Sequence, residues 1–159
     1  MTARTLVACV GNIFLGDDGF GVEVARRLAT ADIPDGVRVA DYGISGMHLA
    51  YDLAGHGYET TILVDAAPRG GEPGTITVVE VDPEEHQAPA GAEGSQLFNA
   101  HGMQPDVIFG VLDTLGAKAG RILVVGCEPA SVEYRMELSE PVAAAVDEAV
   151  RVVLDMVKG

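Results

Sequence analysis

The sequence is poor in aromatic residues, cysteine and positive charge, and each shortage excludes a class of protein. Its 159 residues include four Tyr, four Phe and no Trp, so smaller side chains must build the core. The two cysteines, Cys9 and Cys127, form no CxxC pair, so we expect buried reduced thiols rather than disulfides or a zinc site closed by thiolates. No apolar run approaches the roughly 18 residues of a membrane span, and no signal sequence is recognisable, so we expect a cytoplasmic protein.

Negative charge dominates the composition. Ten Lys and Arg stand against 24 Asp and Glu, which gives a formal net charge of -14. Such a field repels phosphate backbones and anionic lipids, so neither nucleic acid nor a membrane surface is an expected partner, whereas positive peptides and metal cations are suitable. Hydrophobic residues make up 48% of the chain, enough for a core, and we expect a single domain over residues 1–159.

Strand-like and helix-like segments alternate along the chain. Apolar, β-prone runs predict strands at residues 5–10, 37–40, 61–64, 75–81 and 121–127. Helical spacing predicts helices after Gly19, Ser45, Pro105 and Ser139. This order favours an α/β fold, a three-layer α/β/α sandwich around a mostly parallel five-stranded sheet. The gap between the third and fourth strands is too short for a helical crossover, so the fourth strand should run antiparallel at an edge.

Two segments carry narrower expectations. The second helix should bury a stripe made of Met47, Ala50, Tyr51 and Ala54. Residues 82–100 are rich in Ala, Gly, Pro and Glu and show no periodicity, so we expect a long mobile loop that becomes ordered around a partner.

Acidic residues follow three of the predicted strands. Asp17 and Asp18 come after the first, Asp41 after the second and Asp65 at the end of the third, while His101 ends the long loop. In a parallel sheet these positions meet beyond the carboxyl ends of the strands, where ligands bind. Carboxylates together with an imidazole suit a divalent transition metal that keeps open coordination positions.

Simpler interpretations of the same residues stay open. Asp17 and Asp18 are well placed to cap a helix, Asp65 to stabilise a turn, and His101 to be a solvated loop residue. The glycine-rich residues 11–21 suggest a nucleotide loop, but they lack the Lys-Ser/Thr pair of a P-loop and the GxGxxG spacing of a dinucleotide turn. Neither HExxH nor GxSxG occurs, so the peptidase and esterase classes that use those motifs are not indicated.

A set of motifs resembles the hydrogenase maturation endopeptidases. GNIFLGDDGFGVEVARRL, DYGISGMHLAYDL, ILVDAAPRGGEPGTI, HGMQPDVIFGVL and VVGCEPASVE follow the order and spacing of that family over about residues 6–150. The resemblance implies a cytoplasmic hydrolase of protein processing. Its activity would be endopeptidase removal of the C-terminal extension from the large-subunit precursor of a [NiFe] hydrogenase after nickel insertion.

The resemblance also implies roles for individual residues. Asp18, Asp65 and His101 would bind the metal, while Asp41, together with Asp18, would serve cleavage or recognition. Asp17 would have a capping or supporting role. Nickel would come with the precursor as its recognition element, so the isolated protein would hold no metal or another divalent cation.

The sequence departs from the family at two informative positions. Asp18 is one methylene shorter than the Glu of many members, so its reach to the metal should differ. Tyr42 stands where the family often has glycine. We expect Tyr42 to flank the cleft and to alter precursor preference. The expected partner is the nickel-loaded precursor, and a monomer is compatible with the sequence. The alternative function is a nickel- or nucleotide-binding module without peptidase activity.

Overall fold

A computed structural model describes residues 4–81, 112, 114, 116 and 120–158. Its elements, in chain order, are β1 (Thr5–Val10), a 3-10 helix (Gly16–Gly19), α1 (Phe20–Ala29), β2 (Val37–Gly43), α2 (Gly46–His56), β3 (Thr60–Ala66), β4 (Ile76–Val81), β5 (Arg121–Cys127) and α3 (Glu140–Lys158). Within these described ranges, no helix has the length and apolar character needed to cross a membrane.

The five strands form one sheet in the order β2-β1-β3-β5-β4. β1 pairs in parallel with β2 and β3, and β3 pairs in parallel with β5. β4 runs antiparallel to β5 at the edge, as the short connection from β3 requires. The predicted α/β fold class and the antiparallel edge strand are therefore confirmed.

Helices cover both faces of the sheet because the central strands are apolar on both sides. Along β1, Val7 and Cys9 join one core cluster, while Leu6, Ala8 and Val10 join the other. The first cluster includes buried side chains from α1 and α3, among them Phe20, Leu28, Val142, Val146 and Val153. The second includes Leu49 and Leu53 of α2 and the helical residue Leu112. Two cores, one on each face, give the predicted three layers.

The structure corrects two details of the predicted elements. β2 continues beyond residue 40 to Gly43, because Asp41 pairs with Cys9 and Gly43 with Val10 in the sheet register. In α2 the buried face is formed by Leu49, Ala50 and Leu53, whereas Met47 and Tyr51 of the predicted stripe are half exposed. Ala50 of the predicted stripe is buried and Ala54 packs partly against the core, so the prediction was right for these two residues and wrong for the other two. Apolar residues occupy more than one side of this helix, so periodicity alone did not fix the centre of the buried face.

Three expectations fall outside the described residues. They are the loop at 82–100, the side chain of His101, and most of the helix predicted after Pro105. Of that helix the structure describes Leu112 and Thr114 as helical, with Leu112 buried.

Candidate active site

Two glycines hold the acidic 3-10 helix tightly against the carboxyl edge of the sheet. A Cβ atom on Gly21 would lie 2.2 Å from the Val10 carbonyl oxygen and 2.6 Å from that of Val64. Gly11 has a φ of 152°, and a Cβ there would lie 2.0 Å from the Asp18 carbonyl oxygen. Only glycine permits both approaches. The start of α1 and the 3-10 helix before it therefore sit directly on the ends of β1 and β3.

Asp18 and Asp65 are brought to this carboxyl edge by neighbouring elements. The 3-10 helix that carries Asp18 contacts β3, whose penultimate residue is Asp65. Asp18 is 6% exposed, and its Oδ2 accepts the N–H of Asn12 at 3.0 Å. Asp65 is 8% exposed, and its Oδ1 accepts the N–H of Ala66 at 2.8 Å. Two largely buried carboxylates thus lie in adjacent elements beyond the ends of parallel strands.

The donor set fits part of a divalent-cation site. Carboxylate oxygens from Asp18 and Asp65 are ligands that divalent metals accept, and an imidazole would complete a mixed set. His101, the predicted imidazole, lies outside the described residues. Within the described ranges, no three His, Cys, Asp or Glu side chains are grouped so as to hold a metal ion. The three-residue ligand set therefore stays a prediction.

Asp41 also lies at the carboxyl edge, near the end of β2, which is the outermost strand of the sheet. It is exposed, and its Oδ1 accepts the N–H of Gly43 at 2.8 Å. The Gly11 N–H donates to the Gly43 carbonyl oxygen at 2.8 Å, which joins the loop after β1 to the end of β2. Asp41 is thus accessible to a large partner.

Tyr42 does not flank a cleft, which corrects the expectation from sequence. Its side chain is 6% exposed and belongs to the core cluster beneath α2. The hydroxyl donates to Asp52 Oδ2 at 2.7 Å and so fixes α2 against β2. The residue acts in packing.

Asp17 connects two parts of the chain: its buried carboxylate joins the 3-10 helix to the segment between β5 and α3. It accepts the N–H groups of Ala130 at 2.7 Å, Ser131 at 3.0 Å and Ser139 at 2.6 Å, and the Ser139 hydroxyl at 2.8 Å. Burial raises the pKa of Asp17, but these hydrogen bonds outweigh it and hold the pKa below its usual value. The capping interpretation is wrong for Asp17, since its donors come from residues more than a hundred positions away.

Glu128 is a buried acid whose role sequence reasoning missed. It follows β5, and its Oε1 accepts the N–H groups of Arg69 at 2.8 Å and Gly71 at 3.0 Å. These bonds hold the pKa of Glu128 below its usual value and fix the loop after β3. The rule that strand ends carry the site does point to the loop beginning at Glu128, but backbone donors leave no mark in the sequence.

Neither cysteine is placed to act as a nucleophile. Cys9 and Cys127 are both free and buried, as expected from the sequence. Burial, with a smaller effect of Asp41, raises the pKa of Cys9 to about 12. Burial, followed by the charges of nearby acids, raises the pKa of Cys127 to about 12. Burial thus favours the protonated form of both thiols at neutral pH, and neither is set up as a thiolate nucleophile.

Comparison with known proteins identifies the family. A family model described as HycI, hydrogenase maturation protease, matches residues 22–156. A Methanocaldococcus jannaschii protein named as a candidate hydrogenase maturation protease is 37% identical, covering 96% of this chain and 95% of the relative. The hydrogenase maturating endopeptidase HybD of Escherichia coli superposes with a TM-score of 0.77 at 27% identity, covering 98% and 92% of the two chains. The hydrogenase 2 maturation peptidase of a Thaumarchaeota archaeon superposes with a TM-score of 0.73 at 33% identity, covering 98% of both chains. The chain is a peptidase that belongs to the hydrogenase maturation protease family.

Proposed function

We propose that this protein removes the C-terminal extension of the large-subunit precursor of a [NiFe] hydrogenase after nickel has been inserted. The observation that carries the proposal is the pair of largely buried carboxylates, Asp18 and Asp65, on adjacent elements at the carboxyl edge of a chain from this family. The location that we propose for this reaction is the cytoplasm.

Nickel bound in the precursor is the proposed recognition element. Asp18, Asp65 and His101 would supply an incomplete set of ligands, so that the ion also keeps its ligands from the precursor. A precursor without nickel would lack this contact and would bind more weakly. In isolation the protein would then hold no metal, or another divalent cation in its place.

Water is the proposed attacking group. The water oxygen forms a bond to the scissile carbonyl carbon, a carboxylate takes its proton, and the peptide C–N bond breaks as that proton passes to the leaving amine. Asp41 is our candidate for the proton acceptor, because it is exposed at the same edge, whereas Asp18 would hold the metal in this proposal. The buried, protonated cysteines supply no competing nucleophile.

The test is incubation with nickel-loaded precursor, followed by mass measurement of its C-terminus. We expect cleavage by the wild type, little cleavage of nickel-free precursor, and loss of about 100-fold or more in rate for Asp18→Asn, Asp65→Asn and His101→Ala. Asp35→Asn is the matched control, since Asp35 is an exposed acid just before β2, on the side of the sheet where the parallel strands begin and away from the carboxyl edge. Nickel or nucleotide binding without any cleavage would overturn the proposal in favour of a binding module.

A further inference from the structure

Four large apolar side chains are exposed together beside the candidate active site. Phe14 is 57% exposed, Val132 51%, Tyr134 90% and Met136 68%. Phe14 lies in the loop after β1, and the other three lie between β5 and α3. We call these four residues the apolar strip. Tyr, Phe and Met are the residue types that protein interfaces favour.

The two segments of the apolar strip are fixed to each other. The Arg135 N–H donates to the Phe14 carbonyl oxygen at 3.0 Å, and the Gly16 N–H donates to the Arg135 carbonyl oxygen at 2.8 Å. Asp17 binds the same segment at Ser131 and Ser139, on either side of Tyr134. A surface held in this way loses little conformational entropy when a partner binds.

A groove of about 160 Å³ adjoins the apolar strip. Its lining includes Ile13, Val22, Met136 and Leu138, with Glu23 and Arg26 at its polar side. The strip and the groove together offer an apolar surface with a recess for a partner side chain. Phe14 lies four residues before Asp18 in the chain, and Asp17, the neighbour of Asp18, is bonded to the segment that carries Tyr134, so this surface and the candidate active site share a fixed framework.

Charge argues against a second copy of the chain as the occupant of this surface. Each copy carries a net charge of -14, and two such chains repel one another. The occupant should instead be a different protein that needs access to Asp18 and Asp65.

We propose that the apolar strip and the adjoining groove are the docking surface for the folded part of the hydrogenase large-subunit precursor, at a distance from the peptide that is cut. This inference rests on the proposed function, since it takes the precursor as the substrate. It assigns to Tyr134 and Met136 the central contacts.

The experiment measures precursor binding and precursor cleavage separately for Tyr134→Ala and Met136→Ala. We expect each variant to weaken binding and to raise KM by about tenfold, with kcat changed less than threefold. Tyr51→Ala is the matched control, because Tyr51 is a 55% exposed tyrosine on α2, and it should leave both constants unchanged. Thermal unfolding of each variant should match the wild type.

The outcomes separate the two proposals. If the wild type cleaves the precursor and the strip variants keep the wild-type KM, the docking surface is overturned and the proposed function stands. Wild type that binds precursor through the strip without cutting it overturns the proposed function and leaves the docking surface standing. If the wild type neither binds nor cleaves the precursor, both proposals are overturned. If the wild type is a dimer and the strip variants are monomers, the surface belongs to a second copy of the chain.

Discussion

Asp17 and Ser139 are joined by two hydrogen bonds across 122 positions of sequence. The backbone N–H and the hydroxyl of Ser139 both donate to the Asp17 carboxylate, at 2.6 and 2.8 Å. With Ala130 and Ser131 also donating, one buried side chain fixes the start of α3 and the segment after β5 to the 3-10 helix. The next residue in the chain is Asp18, so this anchor also fixes a proposed metal ligand.

Replacing Asp17 should destabilise the fold strongly. Asp17→Ala leaves four part-buried hydrogen-bond donors without their acceptor, which should lower the free energy of unfolding by about 3–5 kcal/mol. Ser139→Ala removes only the hydroxyl donor and should cost about 1 kcal/mol. Urea unfolding of both variants gives the comparison, and equal costs would contradict the anchor.

The ionisation of Asp17 should appear as a loss of stability in acid. The pKa of Asp17 in the folded chain lies below the ordinary value of 3.8, so the unfolded chain binds more protons between the two values. The stabilisation is complete above about pH 3.8 and is lost as the pH falls toward the lower, folded-state value. Asp17→Asn cannot ionise, so the difference in unfolding free energy between wild type and this variant should shrink as the pH falls below 3.8. A constant difference would refute the assignment.

The close approach of α1 to the sheet predicts opposite effects at two glycines. Gly21→Ala places a Cβ 2.2 Å from a backbone oxygen and should destabilise the fold by about 3 kcal/mol. Gly55 lies in α2, and nothing within 4 Å would meet a Cβ there. Gly55→Ala should therefore stabilise by about 0.5–1 kcal/mol through helix propensity. Thermal unfolding distinguishes the two.

Both thiols should be unreactive in the folded protein. With pKa values near 12, Cys9 and Cys127 form almost no thiolate at pH 8. We expect iodoacetamide to label neither residue under native conditions, to label both in guanidinium, and to leave precursor cleavage intact. Inactivation at the rate of native labelling would show a catalytic thiol instead.

Loss of Glu128 should expose the loop after β3 to protease. Its carboxylate binds the N–H groups of Arg69 and Gly71, and Glu128→Ala removes both contacts. Trypsin should then cut after Arg69 several-fold faster, because local opening becomes more frequent. Glu133→Ala, an exposed acid in the segment after β5, is the control and should leave the rate of cutting unchanged.

The strands were predictable where both faces are apolar. The bounds of β5 were predicted correctly because residues 121–127 form a mostly apolar run that lies between Gly120 and Glu128. The end of β2 was not, since Asp41 disfavours strands on its own and is held there by pairing with Cys9 of β1. The buried face of α2 was predicted only in part, with Ala50 and Ala54 correct, because apolar residues occupy more than one side of that helix and its packing decides the orientation.

The site was predictable as a location rather than as a set of contacts. The strand-end rule correctly placed Asp18 and Asp65 at the carboxyl edge. The rule did not distinguish the role of Asp17 from that of Asp18, because Asp17 is set apart by the hydrogen-bond donors at residues 130, 131 and 139. Those donors are mostly backbone amides, which every residue type except proline provides.

Both edge strands carry charged residues among their exposed positions, although Val78 of β4 is also 48% exposed, and this affects how the protein behaves when concentrated. Arg38 and Asp41 are exposed on β2, and Glu80 is exposed on β4, where its carboxylate meets Arg121 at 2.6 Å. Charged side chains along an open strand disfavour the addition of a further strand from another molecule. In a chain with so much Val and Ala, we expect these charges to oppose fibril growth through the borders of the sheet.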